Sequence, residues 1–319
     1  MRKLLLFSIV TLLFISGCRT KSSQEKSDII IFHAGSLSVP FHELKEVYSK
    51  RNPGINILLE PAGSIVCARK ITELKKPCDI MASADYYVIN QLLIPEYADW
   101  SIRFATNEIV IAFSDKARYS DEIDSVNWFD ILLRDDVLYG RSDPDADPCG
   151  YRSVLAMKLA EKYYNKPGLA DRLTSKNRDY IRPKEVDLVA LIESNSVDYM
   201  FQYKSVAIQH NLRYVELPAE INLSDPSMEE LYNTAVLSIR GTKPDEKITV
   251  RGEFINYSLT VPFDAPNREA AIKFLSFVLG DEGMEIFRKN GQKPLVPLST
   301  EQPGKIPEEL KIFLPDIRK

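Results

Sequence analysis

Short apolar runs alternate along the chain with amphipathic stretches, and turns of small residues separate them. The first two apolar runs, residues 28–33 and 55–60, are each followed by a Gly-Ser turn and a stretch with helical periodicity. Alternating strands and helices predict a parallel sheet with helices on both faces. Because ligands of such sheets bind beyond the carboxyl ends of the strands, the two Gly-Ser turns are predicted to face one crevice.

The same alternation continues and predicts a second series of strands and helices. The predicted strands are residues 28–33, 55–60, 79–82, 104–113, 138–141, 198–203 and 253–261. The predicted helices are residues 39–50, 65–74, 127–133, 153–164 and 186–193 and a pair within 268–290.

The two longest predicted strands, residues 104–113 and 253–261, are interpreted as crossings between two lobes. The expected fold is a two-lobed α/β fold with a discontinuous first lobe. That lobe comprises residues 28–107 and 258–319, and residues 108–257 form the second. A cleft between hinged lobes is a common binding place for a small ligand, and it closes by a hinge motion.

The first 18 residues have the pattern of a secretion signal. Two basic residues precede an apolar run at residues 4–15, which is shorter than the roughly 20 residues that span a bilayer. The run ends in ISGC, which resembles the lipobox of bacterial lipoproteins and implies that Cys18 becomes the lipidated first residue. Residues 19–27 are polar and are interpreted as a tether. Ordinary cleavage with an incidental Cys18 is the alternative.

Composition restricts the class of partner. The 319 residues include 45% hydrophobic and 27% charged residues, which is typical of a soluble globular protein. The formal net charge is −4, so no basic surface for nucleic acid is expected. An acidic protein that binds an anion must therefore depend on local hydrogen-bond donors rather than on a broad positive field.

Three cysteines follow Cys18 in the sequence, at Cys67, Cys78 and Cys149. Their spacing matches no zinc motif, and their odd number allows at most one disulfide among them. They are expected to be small buried side chains, and the disulfide pattern stays open.

Ser36 and Ser64 are the first candidate anion-binding residues. Each follows a glycine where a strand ends and a helix begins, and the free N–H groups and dipole of a helix start favour an anion. The hydroxyl adds a rotatable donor, and the amide of Leu37 is a weaker candidate. The alternative is that each serine merely caps its helix, but two equivalent positions on one sheet edge favour binding.

The segment RSDPDADPCGY, residues 141–151, is dense in turn-forming residues. It is expected to present the main chain of Pro148 and Cys149 at a helix start, and a plain surface loop is the alternative. Its alternating aspartates invite a calcium interpretation, but the glycine and glutamate of an EF-hand are missing.

A third candidate segment, RPKEVD at residues 182–187, enters a predicted helix. Tyr203 stands 18 residues after Glu185 at the end of a predicted strand, where its hydroxyl can donate to a bound oxygen. The alternative for Glu185 is favourable pairing with the helix dipole, regardless of function.

At these residues the chain resembles the molybdate/tungstate-binding proteins of ABC importers, especially the tungstate-type branch known best from archaea. The resemblance runs from residue 30 to residue 297. Its most specific segments are HAGSLSVPF (33–41), EPAGS (60–64), CARKITEL (67–74), DIMASADY (79–86), YADW (97–100), FATNEIV (104–110), RSDPDADPCGYR (141–152), IRPKEVDL (181–188), YKSVAIQH (203–210) and LPAEINL (217–223).

The resemblance implies a two-lobed type II periplasmic-binding fold and capture of molybdate or tungstate outside the cytoplasm. The implied partners are an ABC permease with its ATPase, and the membrane through the lipid at Cys18. No cofactor and no nucleic acid are implied, and the protein is expected to be a monomer.

Carried over by motif, the oxoanion would be bound from both lobes. The candidate set is Ser36, Leu37, Ser64, Asp147, Pro148, Cys149, Glu185 and Tyr203. In this set the serines and Tyr203 would offer hydroxyls, and Cys149 its main-chain amide.

Two members of the set, Asp147 and Glu185, carry negative charge and should repel a dianion. Molybdenum and tungsten can expand beyond four oxygens, so we hypothesise that these two carboxylates bond the metal directly and help to reject sulfate. The stretch between them looks shorter than in archaeal relatives, which leaves Asp145 or Asp187 as alternatives.

The sequence leaves two alternative function classes. The first is a binding protein of the same architecture for sulfate, phosphate or an organic anion. The second is an enzyme, which the sequence disfavours. The histidines, His33, His42 and His210, show neither metal-ligand nor triad spacing, and no Walker or dinucleotide pattern occurs. His33 is interpreted as structural.

Overall fold

The computed structural model describes residues 27–241 and 245–315. The predicted signal sequence, the lipidation at Cys18 and the tether up to residue 26 lie outside these residues. No helix in the described ranges is long and apolar enough to cross a membrane.

The strands are β1 (Ser27–Ala34), β2 (Ile55–Ala62), β3 (Ile80–Ser83), β4 (Ile102–Thr106), β5 (Ile109–Phe113), β6 (Tyr139–Ser142), β7 (Ile181–Arg182), β8 (Tyr199–Tyr203), β9 (Arg213–Glu216), β10 (Val236–Arg240), β11 (Lys247–Arg251), β12 (Tyr257–Thr260) and β13 (Lys293–Ser299). The α-helices are α1 (Ser38–Arg51), α2 (Ser64–Thr72), α3 (Tyr86–Leu92), α4 (Trp128–Leu132), α5 (Pro148–Tyr163), α6 (Leu169–Ser175), α7 (Asp187–Glu193), α8 (Lys204–Gln209), α9 (Ala219–Asn222), α10 (Glu229–Tyr232), α11 (Arg268–Leu279), α12 (Asp281–Lys289) and α13 (Glu308–Lys311). Short 3₁₀ helices span Gly35–Leu37, Arg178–Tyr180, Pro226–Met228 and Pro303–Lys305.

The first sheet has the strand order β13-β4-β12-β3-β1-β2. Its β1 pairs in parallel with β2 and β3, as the alternation of strands and helices predicts, whereas β12 runs antiparallel to β3 and β4. Ile29, Ile31 and Phe32 of β1 are fully buried because helices cover the sheet, and Ile30 is half-buried. On one side α1 packs against α12 through an edge-to-face contact between Phe41 and Phe287.

The second sheet has the order β7-β6-β8-β5-β9, and β10 and β11 form a separate antiparallel pair. Here β6 pairs in parallel with β7 and β8, and β5 runs antiparallel to β8 and β9. Helix α5 packs along β5, β6 and β8, and most of its residues are buried. The start of α5 therefore lies where the strands of this sheet end, which positions the candidate segment around residue 147.

The single long strand predicted at residues 104–113 is wrong, because the ladder breaks at Asn107 and Glu108. β4 ends in the first sheet and β5 begins in the second. The Asn107 side-chain oxygen accepts hydrogen bonds from the main-chain amides of Glu108 and Ser205, at 3.0 and 3.3 Å. These side-chain bonds replace ladder bonds, so the segment crosses between the sheets as expected but as two short strands with a break at residues 107–108.

Two further boundaries differ from the predictions. Of the strand predicted at residues 253–261, only β12 forms, because residues before it bond to other segments, as the amide of Ile255 does to the carbonyl of Leu223. The helix predicted from residue 153 begins at Pro148 instead. Proline suits the first turn of a helix, where its missing N–H costs nothing, and Asp147 caps that turn.

Cys67, Cys78 and Cys149 are all buried free thiols, so no disulfide joins these three described cysteines. Burial raises the pKa of Cys67 to about 12, which keeps its thiol protonated and inert.

A buried carboxylate connects the first sheet to α11. The Asp79 oxygens accept hydrogen bonds from the amides of Ile30 at 2.8 Å and Asn267 at 2.6 Å. Asp79→Ala would leave both amides unbonded, and the expected loss in the free energy of unfolding is about 2–4 kcal/mol. Urea denaturation followed by circular dichroism measures it. Asp28→Ala, at an exposed neighbouring carboxylate, is the control, and equal midpoints for the two variants would contradict the prediction.

Candidate functional site

The candidate residues from the two sheets converge at one buried place. Ser36, Ser64, Cys149, Glu185 and Tyr203 are 0% exposed, and Asp147 is 1% exposed. Residues scattered over separate surfaces would not all be buried in this way, and hydrogen bonds and close contacts link these candidates to one another. Leu37 and Pro148 are also buried beside it.

Ser36 lies in the 3₁₀ turn between β1 and α1. Its hydroxyl oxygen accepts a hydrogen bond of 2.9 Å from the Tyr257 hydroxyl. Tyr257 in turn accepts from the side-chain nitrogen of Asn107 at 3.0 Å. An amide nitrogen can only donate, so the Tyr257 proton goes to Ser36 and the Ser36 proton is left for another acceptor.

Ser64 is the first residue of α2. Its hydroxyl oxygen accepts from the main-chain amide of Ala84 at 3.0 Å, across from the end of β3. Since a main-chain amide is purely a donor, the Ser64 proton is also free. Both hydroxyls therefore have a proton to donate, and the N-cap positions here are held by Ala34, Leu37 and Gly63 rather than by the serines.

Asp147 caps α5 and holds two segments of the second sheet together. One carboxylate oxygen accepts from the Cys149 amide at 3.2 Å, and the other accepts from the Glu185 amide at 2.9 Å. The Cys149 amide, a predicted anion donor, is thus bonded to Asp147 in this structure. Pro148 has no amide hydrogen, so it fixes the helix start and donates nothing.

Glu185 precedes α7 and projects its carboxylate towards the first sheet. A methyl group built on Gly35 would lie 2.9 Å from both carboxylate oxygens. Neither oxygen has a hydrogen-bond partner among the described residues. Burial raises the pKa of Glu185 well above its usual range, and the Asp147 carboxylate raises it further. Burial likewise raises the pKa of Asp147.

A buried carboxyl group whose oxygens have no hydrogen-bond partner among the described residues carries a desolvation cost, and a bound ligand can remove that cost. In the described ranges no group of three or more histidine, cysteine, aspartate or glutamate residues could hold a metal ion. The two carboxylates instead suit a centre that brings further ligands of its own.

Tyr203 ends β8, as expected, and its hydroxyl accepts from Arg152 Nη1 at 2.9 Å. Burial raises the pKa of Tyr203 well above its usual range, so the hydroxyl keeps a proton to donate. The alternatives lie elsewhere: the carboxylate of exposed Asp145 accepts from the Arg240 amide at 2.7 Å, and Asp187 pairs with Lys184 at 3.4 Å.

His33 is buried, stacks on Phe41 at 5.3 Å between ring centroids, and shares a 2.8 Å hydrogen bond between Nδ1 and the Ala34 carbonyl. Burial lowers the pKa of His33 to about 4, so the ring is neutral. These contacts agree with a structural role.

Several residues behind the site were not among the sequence candidates. Gln202 donates to the Glu185 carbonyl and Gln292 to the Ser36 carbonyl, both at 2.9 Å. Asn107 and Arg152 lie inside segments that carry the family resemblance, which was an available signal. Tyr257 and Gln292 lie in none of the specific segments, and only the tertiary structure reveals them.

The chain matches the family described as bacterial extracellular solute-binding protein over residues 29–293. It is 45% identical to the molybdate/tungstate-binding protein WtpA of Pyrococcus abyssi, with 95% of this chain and 96% of that protein covered.

Two solved structures share the fold. The periplasmic molybdate-binding protein of Azotobacter vinelandii superimposes with a TM-score of 0.61 at 16% identity, covering 83% of this chain and 98% of that chain. The sulfate-binding protein SubI of Mycobacterium tuberculosis gives 0.63 at 14% identity, covering 85% and 88%. The predicted two-lobed α/β fold is confirmed.

Gly63, which follows β2, lies close to the segment before α5: an added methyl group would overlap the carbonyl oxygen of Ala146 and lie 3.1 Å from the Asp147 Cβ. Gly63→Ala should therefore keep the lobes from closing fully. The expected loss in tungstate affinity is more than about tenfold, or 1.4 kcal/mol, in calorimetric titrations.

The matched control is Gly304→Ala, because a methyl group there meets open space. The melting temperature of the ligand-free protein should be the same for both variants. Unchanged tungstate affinity in Gly63→Ala would show that this close approach plays no part in binding.

Proposed function

This chain belongs to the family of bacterial extracellular solute-binding proteins, and from that premise we propose that it captures molybdate or tungstate for an ABC importer. The family serves transport, and we propose no catalytic role. The observation that carries the choice of anion is the buried pair Asp147 and Glu185, placed beside three hydroxyls that are oriented as donors.

The carboxylate pair is what distinguishes the possible anions. Two unit charges 4 Å apart repel by about 4 kcal/mol at an effective dielectric constant near 20, so each carboxylate opposes a bound dianion. Sulfur and phosphorus in their oxoanions offer no further bonding position to offset this. Molybdenum and tungsten do, and Asp147 and Glu185 would then become ligands of the metal rather than neighbours of like charge.

The remaining candidates would hold the oxygens of the anion. Ser36, Ser64 and Tyr203 would each donate a hydroxyl proton, with the Leu37 amide as a further donor. The Cys149 amide can turn to the anion only if the Asp147 oxygen it now contacts turns to the metal. We therefore propose that these two roles are linked.

We propose that the lobes divide as the sequence predicts, at residues 28–107 and 258–319 against 108–257. Support comes from the sheets: the chain passes from the first sheet to the second at residues 107–108, and it returns to the first sheet with β12 after the separate β10-β11 pair. Capture, closure over the anion and docking of the closed monomer on a permease with its ATPase would follow in that order.

Calorimetric titration with tungstate, molybdate, sulfate and phosphate tests the proposed function. The first two anions are expected to bind tightly and the last two weakly. Glu185→Gln should reduce tungstate affinity at least about 100-fold, near 3 kcal/mol, because a metal ligand is lost. X-ray absorption at the tungsten edge should report six neighbours in the wild type and fewer in the variant.

Glu193→Gln, at an exposed position on α7, is the matched control and should bind as the wild type does. Tight sulfate binding without tungstate binding would refute the proposed function. Full affinity in Glu185→Gln would refute only the carboxylate ligand.

We also propose that the mature protein is anchored in the membrane through a lipid on Cys18, supported by the ISGC sequence after the apolar run. Cys18→Ser should move the protein from the membrane fraction to the soluble fraction, since a stable anchor is lost. Immunoblots of both fractions and mass spectrometry of the mature N-terminus measure this. Ser22→Ala in the tether is the control, and membrane retention of Cys18→Ser would contradict the anchor.

A further inference from the structure

Arg152 is a charged residue at the interface of the two sheets and is only 3% exposed. It lies on α5, and its Nη1 donates to the Tyr203 hydroxyl at 2.9 Å. The same nitrogen donates at 2.6 Å to the carbonyl of Ala84, and Nη2 pairs with an oxygen of Asp85 at 3.0 Å. Ala84 and Asp85 follow β3, so one guanidinium contacts both halves of the molecule.

The guanidinium determines which way the Tyr203 hydroxyl points. Arginine has five N–H donors and no acceptor, so the Tyr203 oxygen must accept from it and its proton must point elsewhere. The hydroxyl is buried and stays protonated, and the neighbouring Tyr257 ring, 5.9 Å away between centroids, restricts its surroundings. Arg152 therefore makes Tyr203 a donor.

The first lobe holds the other side of the guanidinium. The Asp85 oxygen that pairs with Arg152 also accepts from the Tyr151 hydroxyl. Both main-chain groups of Ala84 form hydrogen bonds. Its carbonyl accepts from Arg152, and its amide donates to the Ser64 hydroxyl at 3.0 Å. One short segment after β3 thus orients donors on both sides of the candidate site.

We propose that Arg152 is a positioning residue: on lobe closure Ala84 and Asp85 hold its guanidinium, which then orients the Tyr203 hydroxyl towards the anion. The inference rests on the proposed function and adds a residue that acts through Tyr203 rather than by touching the anion. A lysine cannot replace it, because one ammonium group lacks the planar fork that contacts three partners at once.

A double-mutant cycle tests the coupling to Tyr203. Tungstate affinity is measured by calorimetry for the wild type, Arg152→Lys, Tyr203→Phe and the double variant. Arg152→Lys should weaken binding about 10–100-fold, as losses of residues behind a metal site do. If Arg152 acts through the Tyr203 hydroxyl, the double variant should lose at least about fivefold less than the product of the single losses.

Asp85→Asn tests the contact between Arg152 and the first lobe from the Asp85 side. The remaining oxygen can still accept from the Tyr87 amide, a 3.0 Å bond that caps α3, so the fold should be retained. Tungstate affinity should fall about tenfold or more, with the ligand-free melting temperature unchanged. Arg118→Lys, which alters an arginine–aspartate pair within the second lobe, is the control and should bind normally.

The outcomes separate the two proposals. If the wild type binds neither tungstate nor molybdate, the proposed function fails. If the wild type binds and Arg152→Lys binds equally well, or the losses with Tyr203→Phe multiply fully, the positioning role is overturned. Should Arg152→Lys lower the ligand-free melting temperature, Asp85→Asn decides, and unchanged affinity there overturns the inference.

Discussion

Burying Glu185 against Asp147, with no hydrogen-bond partner for either Glu185 oxygen in the described part of the chain, is the constraint on which the rest of the site depends. Removing an ionised carboxylate from water costs several kcal/mol unless a partner compensates. Gly35 lies close to this carboxylate, so the desolvation cost arises when the two sheets come together. We propose that closure is unfavourable with the pair ionised, and that a metal oxide centre bonded to both carboxylates removes the penalty. Capture and closure become one event.

The donors facing the pair share a single design. Each hydroxyl oxygen accepts a hydrogen bond from a group that acts as a donor there. The donor is the Ala84 amide for Ser64, the Tyr257 hydroxyl for Ser36 and the Arg152 guanidinium for Tyr203. This arrangement lets an acidic protein bind an anion without a positive surface. The positive charge of Arg152 is matched by Asp85, so the site gains oriented protons while the surrounding charge stays balanced.

The sequence predicted those features that depend on residues close together in the chain. The strands, the two Gly-Ser turns and the helix pair near the C-terminus follow from apolar periodicity, and the candidate residues followed from motifs. The break at Asn107 did not, because its side chain competes with the ladder through contacts to Ser205, 98 residues away. Tyr257 and Arg152 were not predicted for a related reason: their roles arise from partners that only the folded chain brings near. Pro148 was expected at a helix start, but periodicity placed the first residue of that helix at 153, whereas α5 begins at Pro148.

The fold itself does not choose the anion, since a molybdate-binding and a sulfate-binding protein superimpose on this chain about equally well. The choice must come from residues that respond differently to the two anions. Hydroxyl donors do not distinguish the two anions, because the oxygens of every tetrahedral oxoanion can accept their hydrogen bonds. The carboxylate pair does: a bound sulfate would satisfy the donors but leave Glu185 without a bond inside the closed cleft. On this view selectivity is applied at closure, because the closed form is stabilised only by an anion whose centre can bond to Asp147 and Glu185.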